Sequence, residues 1–165
     1  MTHPTHQQLP VQAAILTVSD TRTKADDSSG QRIQSLLTDA SFTLADYQIV
    51  PDEPVAISQI VQNWCDDATV QAIIITGGTG FTPRDQTYDT IVPLLEKEMM
   101  GFGELFRALS YKEIGPKAMF SRATAGSRQQ TAIYVLPGST NAVHLAMTKL
   151  ILPTVQHFVG ELHRL

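Results

Sequence analysis

Ala72-Ile73-Ile74-Ile75-Thr76 runs straight into Gly77-Gly78-Thr79-Gly80. An unbroken apolar, β-branched run suits a strand covered on both faces, as at the centre of a parallel sheet. Glycines directly after it let the backbone turn sharply and bring its amides close to a ligand, which favours an anionic, phosphate-bearing one. A tight turn holding nothing is the plain alternative; the Arg84-Asp85 pair just downstream favours the ligand. Two common phosphate fingerprints fail. Counting from Gly78, the third glycine of Gly-x-Gly-x-x-Gly falls on Pro83, and no lysine between Val70 and Glu96 completes a Walker loop.

Upstream, Val11 to Ser19 reads as a buried strand entering the polar loop Ser19-Asp20-Thr21-Arg22. Ile33, Leu36, Leu37 and Ala40 then fall at helical spacing, and Phe42 to Val50 alternates like a strand before Pro51-Asp52-Glu53-Pro54. Ile57, Ile60, Val61 and Trp64 make a second helical stripe. Three strand-to-helix repeats in order predict an α/β fold, a three-layer αβα sandwich on a mostly parallel sheet. Downstream, Tyr88 to Leu95 reads as helical, tempered by Pro93. Gly101-Phe102-Gly103 predicts an interruption before a short helix, Glu104 to Ser110. Ala118 to Ala125 and Thr131 to Leu136 flank the turn-rich Gly126 to Gln130, which predicts a hairpin with one antiparallel strand in the sheet. After Pro137-Gly138-Ser139 comes a helix carrying Val143, Met147, Leu150 and Ile151, kinked or restarted at Leu152-Pro153. Residues 1–10 are expected to form a flexible tail and 11–165 a single domain.

The bulk properties set limits. The 165 residues are 42% hydrophobic and 17% charged with a net charge of −4, so a broad nucleic-acid surface is not expected. An acidic protein that binds polyphosphate must attract it locally, through backbone amides, placed cations or a divalent metal. Cys65 is the lone cysteine, so no intrachain disulfide forms; beside Trp64 on an apolar helix face it reads as a buried, inert thiol. The polar start lacks a signal-like apolar core, and no apolar run nears the roughly 20 residues of a membrane span. A cytoplasmic protein is expected.

In an open α/β sheet, ligands sit beyond the carboxyl ends of the strands. The loops expected there carry Ser19, Asp20, Asp52, Thr76, Gly77, Gly78, Thr79, Gly80, Arg84, Asp85, Pro137, Gly138 and Ser139. Asp52 and Asp85 each lie a few residues past a strand end, and if both face one crevice they suit a hard divalent ion such as Mg²⁺, completed by phosphate oxygens. Helix capping is the plain alternative for each. Ser139 is expected to act as a hydroxyl donor to the ligand. Glu104 and Arg107, three apart on a helix, are expected to pair with each other.

Taken together, Thr-Val-Ser-Asp-Thr-Arg at 17–22, Val-Pro-Asp-Glu at 50–53, Thr-Gly-Gly-Thr-Gly at 76–80 with Arg84-Asp85, Gly-Phe-Gly-Glu-Leu-Phe-Arg at 101–107 and Leu-Pro-Gly-Ser at 136–139 resemble the MoaB/Mog family of molybdenum-cofactor biosynthesis proteins. The resemblance runs from about Ala13 to the last helix. It implies a homo-oligomer, a trimer or dimer of trimers, that binds molybdopterin. In the Mog branch it further implies adenylylation of molybdopterin by ATP with Mg²⁺. The family's two functional carboxylates map onto Asp52 and Asp85, and the resemblance gives Glu104 and Arg107 a second reading, as residues bordering the ligand pocket or a subunit contact. Asp85-Gln86-Thr87-Tyr88 places Tyr88 where Mog proteins carry proline, and this run with Phe-Gly-Glu-Leu-Phe-Arg-Ala-Leu-Ser at 102–110 is more similar to MoaB. Three functions follow as expectations: the adenylyltransferase, a non-catalytic pterin-binding protein, and a nucleotide pyrophosphatase-like activity in the same pocket.

Overall fold

The computed structural model describes residues 10–164, so the tail expected at 1–10 lies almost wholly outside the described residues. Six strands, β1 (Gln12–Val18), β2 (Thr43–Val50), β3 (Ala72–Thr76), β4 (Lys97–Glu98), β5 (Thr124–Arg128) and β6 (Thr131–Leu136), form one sheet in the order β2-β1-β3-β6-β5-β4. β2, β1, β3 and β6 are parallel neighbours, while β5 pairs antiparallel with both β6 and β4. The expected α/β sandwich is the observed architecture.

The two-residue period of a strand sends alternate side chains into two separate cores. Ala13 and Ile15 of β1 with Ala72 and Ile74 of β3 pack under α1 (Ser28–Asp39), α4 (Met100–Ile114), α5 (Thr140–Ala146) and α6 (Leu152–Leu162). Ala14, Leu16, Ile73 and Ile75 pack on the opposite face under α2 (Pro54–Asp66) and α3 (Thr87–Ile91). No residue of β3 is more than 1% exposed, which is why its sequence is apolar without alternation.

The second half departs from the sequence expectations in α4, in the hairpin and in one ion pair. α4 runs through Gly101-Phe102-Gly103 instead of stopping there. Gly103 is required by proximity: a Cβ would lie 2.5 Å from the Ala123 carbonyl. β5 begins at Thr124, and residues 115–120 form a 3₁₀ helix where strand was expected. The hairpin turn is only Gln129-Gln130, with Gln129 at φ 52°, so Gly126-Ser127-Arg128 belong to the strand. Gly126 serves the edge strand β4, since a Cβ there would sit 2.3 Å from the Lys97 carbonyl. The expected Glu104–Arg107 ion pair is also not formed. Arg107 Nη1 donates instead to the carbonyls of Ser121 (3.3 Å) and Ala123 (3.2 Å), and both residues line a cavity of about 110 Å³.

Elsewhere the local signals hold. Pro93 ends α3 in a 3₁₀ turn. Pro153 lacks the N–H that an α-helix needs, and residues 147–151 form a π turn joining α5 to α6. Val143, Met147, Ile151, Val155 and Val159 keep one buried stripe across that join. Cys65 is 5% exposed and burial pushes its thiol up to about 11, so it is inert as expected.

Tyr134 of β6 packs its ring against Phe102 and Phe158, at 5.5 and 6.3 Å between centroids. Its hydroxyl is buried without a hydrogen-bond partner, and burial pushes the phenol upward. An unmatched buried hydroxyl costs about 1–3 kcal/mol. Tyr134→Phe is therefore expected to raise the melting temperature by roughly 2–12 °C. A fall would show that the hydroxyl has a partner in solution.

Candidate functional site

Because β2, β1, β3 and β6 run the same way, the loops that leave them gather along one edge of the sheet. The strand order reverses between β1 and β3, the position at which open α/β sheets bind ligands.

Several expected site residues first build this edge. Ser19 Oγ accepts from the amides of Thr21 (3.3 Å) and Arg22 (3.1 Å), closing the turn after β1. Thr76 Oγ1 donates to the Pro137 carbonyl (2.8 Å), and the Gly77 amide donates to Leu136 (3.1 Å), so both latch β3 to β6. The Gly77 amide is thus unavailable to a ligand. Gly138 lies close enough that its Cβ would be 3.4 Å from the Gly77 Cα, and its carbonyl accepts from Ser29 Oγ (2.5 Å). Ser139 Oγ accepts from the Ala142 amide (3.2 Å) and caps α5, leaving its own proton for another acceptor. Behind them, buried Asp27 caps α1 through the Gly30 amide (3.1 Å) and accepts from Thr17 (2.6 Å) and from the Tyr47 hydroxyl.

The carboxylates behave differently. Asp52 is 5% exposed. Its Oδ1 accepts from the Gln86 amide (3.1 Å), while its own amide donates to Asp20 Oδ1 (3.0 Å). Neither Asp52 nor Asp85 caps the helix beside it: the N-cap residue is Glu53 for α2 and Gln86 for α3, and neither helix has a side-chain cap. Asp52 Oδ2 lies against Gly78, where a Cβ would come within 2.6 Å of it. Asp85 Oδ2 accepts from Thr82 N (3.0 Å) and Thr82 Oγ1 (2.7 Å) and lies against Gly80, 2.7 Å from where a Cβ would stand. The two side chains therefore flank a single glycine loop. Burial raises the Asp52 carboxyl above its ordinary range, and the charges of Asp85 and Asp20 raise it further.

Arg84 is not a free cation in this arrangement. It forks onto Asp20 at 2.8 and 2.7 Å and reaches Glu53 at 2.8 Å, holding the Asp20 carboxyl down to about 2. Half-exposed, it can exchange these partners for a ligand phosphate at small cost.

One site residue carries no sequence signal of its own. Thr87 is fully buried and its Oγ1 has no hydrogen-bond partner. That oxygen would stand 2.2 Å from a Cβ on Gly78, beside Asp52 Oδ2. The hydroxyl and the buried carboxylate next to it leave two oxygens facing the same glycine. Among the described residues no group of three or more His, Cys, Asp and Glu is assembled for a metal. Two carboxylates and a hydroxyl fit a hard divalent cation that takes its remaining oxygens from phosphate and water. A nearby groove of about 600 Å³ between α2 and α3 shares Gln86 with the edge.

The fold and this edge define an open α/β protein with a glycine-loop site flanked by acidic groups. Residues 14–157 match the family described as a probable molybdopterin binding domain. The molybdenum cofactor biosynthesis protein B of Bacillus subtilis (strain 168) is 48% identical over 155 residues, covering 93% of this chain and 91% of that protein. A crystal structure of a molybdenum cofactor biosynthesis protein B superposes with a TM-score of 0.92 at 45% identity, over 95% of this chain and 98% of the other. The tungsten cofactor synthesizing protein MoaB from Pyrococcus furiosus gives 0.83 at 34% identity, over 94% and 98%. The chain belongs to the MoaB/Mog family of molybdenum cofactor biosynthesis proteins. Among the described residues no helix is long and apolar enough to cross a membrane.

Proposed function

We propose that the protein binds molybdopterin at the carboxyl edge of its sheet and adenylylates it with Mg-ATP, releasing pyrophosphate. The observation that carries this reading is Asp52: buried, raised, and beside both Asp85 and an unpartnered Thr87 hydroxyl. A site that makes one of its own carboxylates costly to ionise favours an incoming cation.

In the reaction, an oxygen of the terminal phosphate of molybdopterin bonds to the α-phosphorus of ATP. The bond from that phosphorus to the bridging oxygen breaks, and its electron pair leaves with pyrophosphate. A phosphate with a second pKa near 6 is already mostly dianionic at neutral pH, so no strong base is required. Repulsion between anions is the larger barrier. Mg²⁺ supplies neutralising charge to the phosphates when bound. Asp52 and Asp85 would hold it and align the phosphates, while the amides of Gly78, Thr79 and Gly80 receive non-bridging oxygens. Among the described residues those amides have no protein acceptor. Arg84, released from Asp20, adds a placed cation. Exposed Leu105, Ile114, Met119 and Phe120 support assembly into the trimer or dimer of trimers that the family resemblance implies.

The test combines protein, Mg²⁺ and ATP with and without molybdopterin. Pyrophosphate released only with the pterin supports the proposal. Pterin binding without release points to a non-catalytic carrier, and release without pterin to a nucleotide pyrophosphatase. Either result overturns it.

A further inference from the structure

We propose that Arg122, which lies between the 3₁₀ helix and β5, is the positioning residue that aims the Gly80 and Phe81 amides at the end of the glycine loop; this rests on the polyphosphate-binding reading above. Its guanidinium approaches the loop from the α4–β5 side. Nη2 donates to the Gly80 carbonyl at 2.9 Å and Nε to the Thr79 carbonyl at 3.4 Å. Nη1 meets both oxygens of Asp89 at 3.0 and 3.1 Å. The rings of Phe81 and Tyr88 both present to the guanidinium, their centroids 5.1 and 4.9 Å from its central carbon. The side chain is 20% exposed. Two carbonyls, one carboxylate and two aromatic rings thus fix one cation.

The consequence follows from peptide planarity. In a trans peptide the carbonyl and the next N–H point in opposite directions, and no cis peptide occurs among the described residues. Gripping the carbonyls of Thr79 and Gly80 on one side turns the N–H groups of Gly80 and Phe81 to the other. Glycine gives this loop the freedom to turn, and the same freedom would let the amides wander. Arg122 removes that freedom before a ligand arrives, so its ordering cost is met during folding and not during binding. Lysine cannot replace it, because an ammonium lacks the planar fork that reaches two carbonyls and a carboxylate together.

The experiment compares the unmodified protein with Arg122→Gln and Arg122→Lys. Backbone ¹⁵N relaxation reports the loop, calorimetry reports Mg-pyrophosphate binding, and melting reports the fold. Order parameters of Gly80 and Phe81 are expected near 0.85 in the unmodified protein and below about 0.6 in both variants, with Ala72 to Thr76 unchanged. Pyrophosphate affinity is expected to fall about tenfold in Arg122→Gln, while Arg122→Lys recovers little despite its charge. A purely structural role would lower melting and loosen β3 and β5 as well. Unchanged loop order in Arg122→Gln overturns the proposal, and so does full recovery with lysine. If Arg122→Gln does not fold, Arg122→Lys and Tyr88→Leu give the same relaxation readout. If the unmodified protein binds no pyrophosphate, the reading of function fails, and loop order still decides the role of Arg122.

Discussion

Asp52→Asn is expected to lose pyrophosphate release by at least about 100-fold while leaving the protein as stable as before, or more so. The asparagine oxygen can still accept the Gln86 amide, so the local geometry survives. What disappears is a buried charge that burial and Asp85 both oppose. Because the folded carboxyl is raised, the folded state holds this proton more tightly than the unfolded chain does. Its contribution to stability is full below the ordinary value of 3.8 and is lost as pH rises through the raised folded value. At neutral pH the asparagine variant escapes that loss, so its melting temperature should match or exceed that of the unmodified protein. The difference should vanish in acid. Mg²⁺ with ATP should raise the melting temperature of the unmodified protein and have much less effect on the variant. Asp85→Asn is expected to lose turnover similarly while largely sparing pterin binding. A variant with full turnover would reject a cation-holding role for that carboxylate.

The second large effect separates two adjacent glycines. Gly77 has φ +100°, and a Cβ there would lie 2.3 Å from the Val18 carbonyl. That oxygen belongs to the backbone of a central strand and cannot move aside. Gly77→Ala is therefore expected to destabilise the fold by at least about 3 kcal/mol, a fall of roughly 6–12 °C in melting temperature. Gly78 has φ +69°, where alanine pays about 1–2 kcal/mol in backbone strain. Its Cβ would strike Thr87 Oγ1 at 2.2 Å and Asp52 Oδ2 at 2.6 Å, both side-chain atoms that can shift. Gly78→Ala should accordingly melt closer to the unmodified protein and lose most of its nucleotide affinity. Thermal melting and calorimetry on the pair check this contrast. Equal melting temperatures with equal affinities would contradict it.

The first half of the fold was legible because its signals are local. α1, β2 and α2 each bury a face with the period of their own element, β1 and β3 are unbroken apolar runs because both of their faces are covered, and a window of ten residues contains either pattern. The second half depends on partners far away in sequence. Gly103 and Gly126 read as breaks, yet each is small because a distant carbonyl, Ala123 or Lys97, presses on it. β4 has two residues and no period to detect.

The site divides along the same line. That Asp52, Asp85 and the glycine loop meet on one edge was readable because strand ends and glycines mark where the loops of an α/β sheet gather. The assignments of Ser19, Thr76 and Gly77 mixed two duties, since their hydrogen bonds within the protein hold the loops together. Thr87 and Arg122 could not be found from sequence. One is defined by a missing partner, and the other by a hydrogen bond across 42 residues.

The most direct test of the central claim, that Asp52 and Asp85 serve one cation held against a polyphosphate, is a double-mutant cycle on metal affinity. Mn²⁺, as a spectroscopic substitute for Mg²⁺, is titrated into the ATP-bound protein and its Asp52→Asn, Asp85→Asn and doubly substituted forms. Both single variants should bind the ion at least about tenfold more weakly, and the double variant should be little weaker than either, as expected of residues that act on one ligand. Unchanged affinity in either single variant, or fully additive losses, would mean that the two carboxylates do not share a cation.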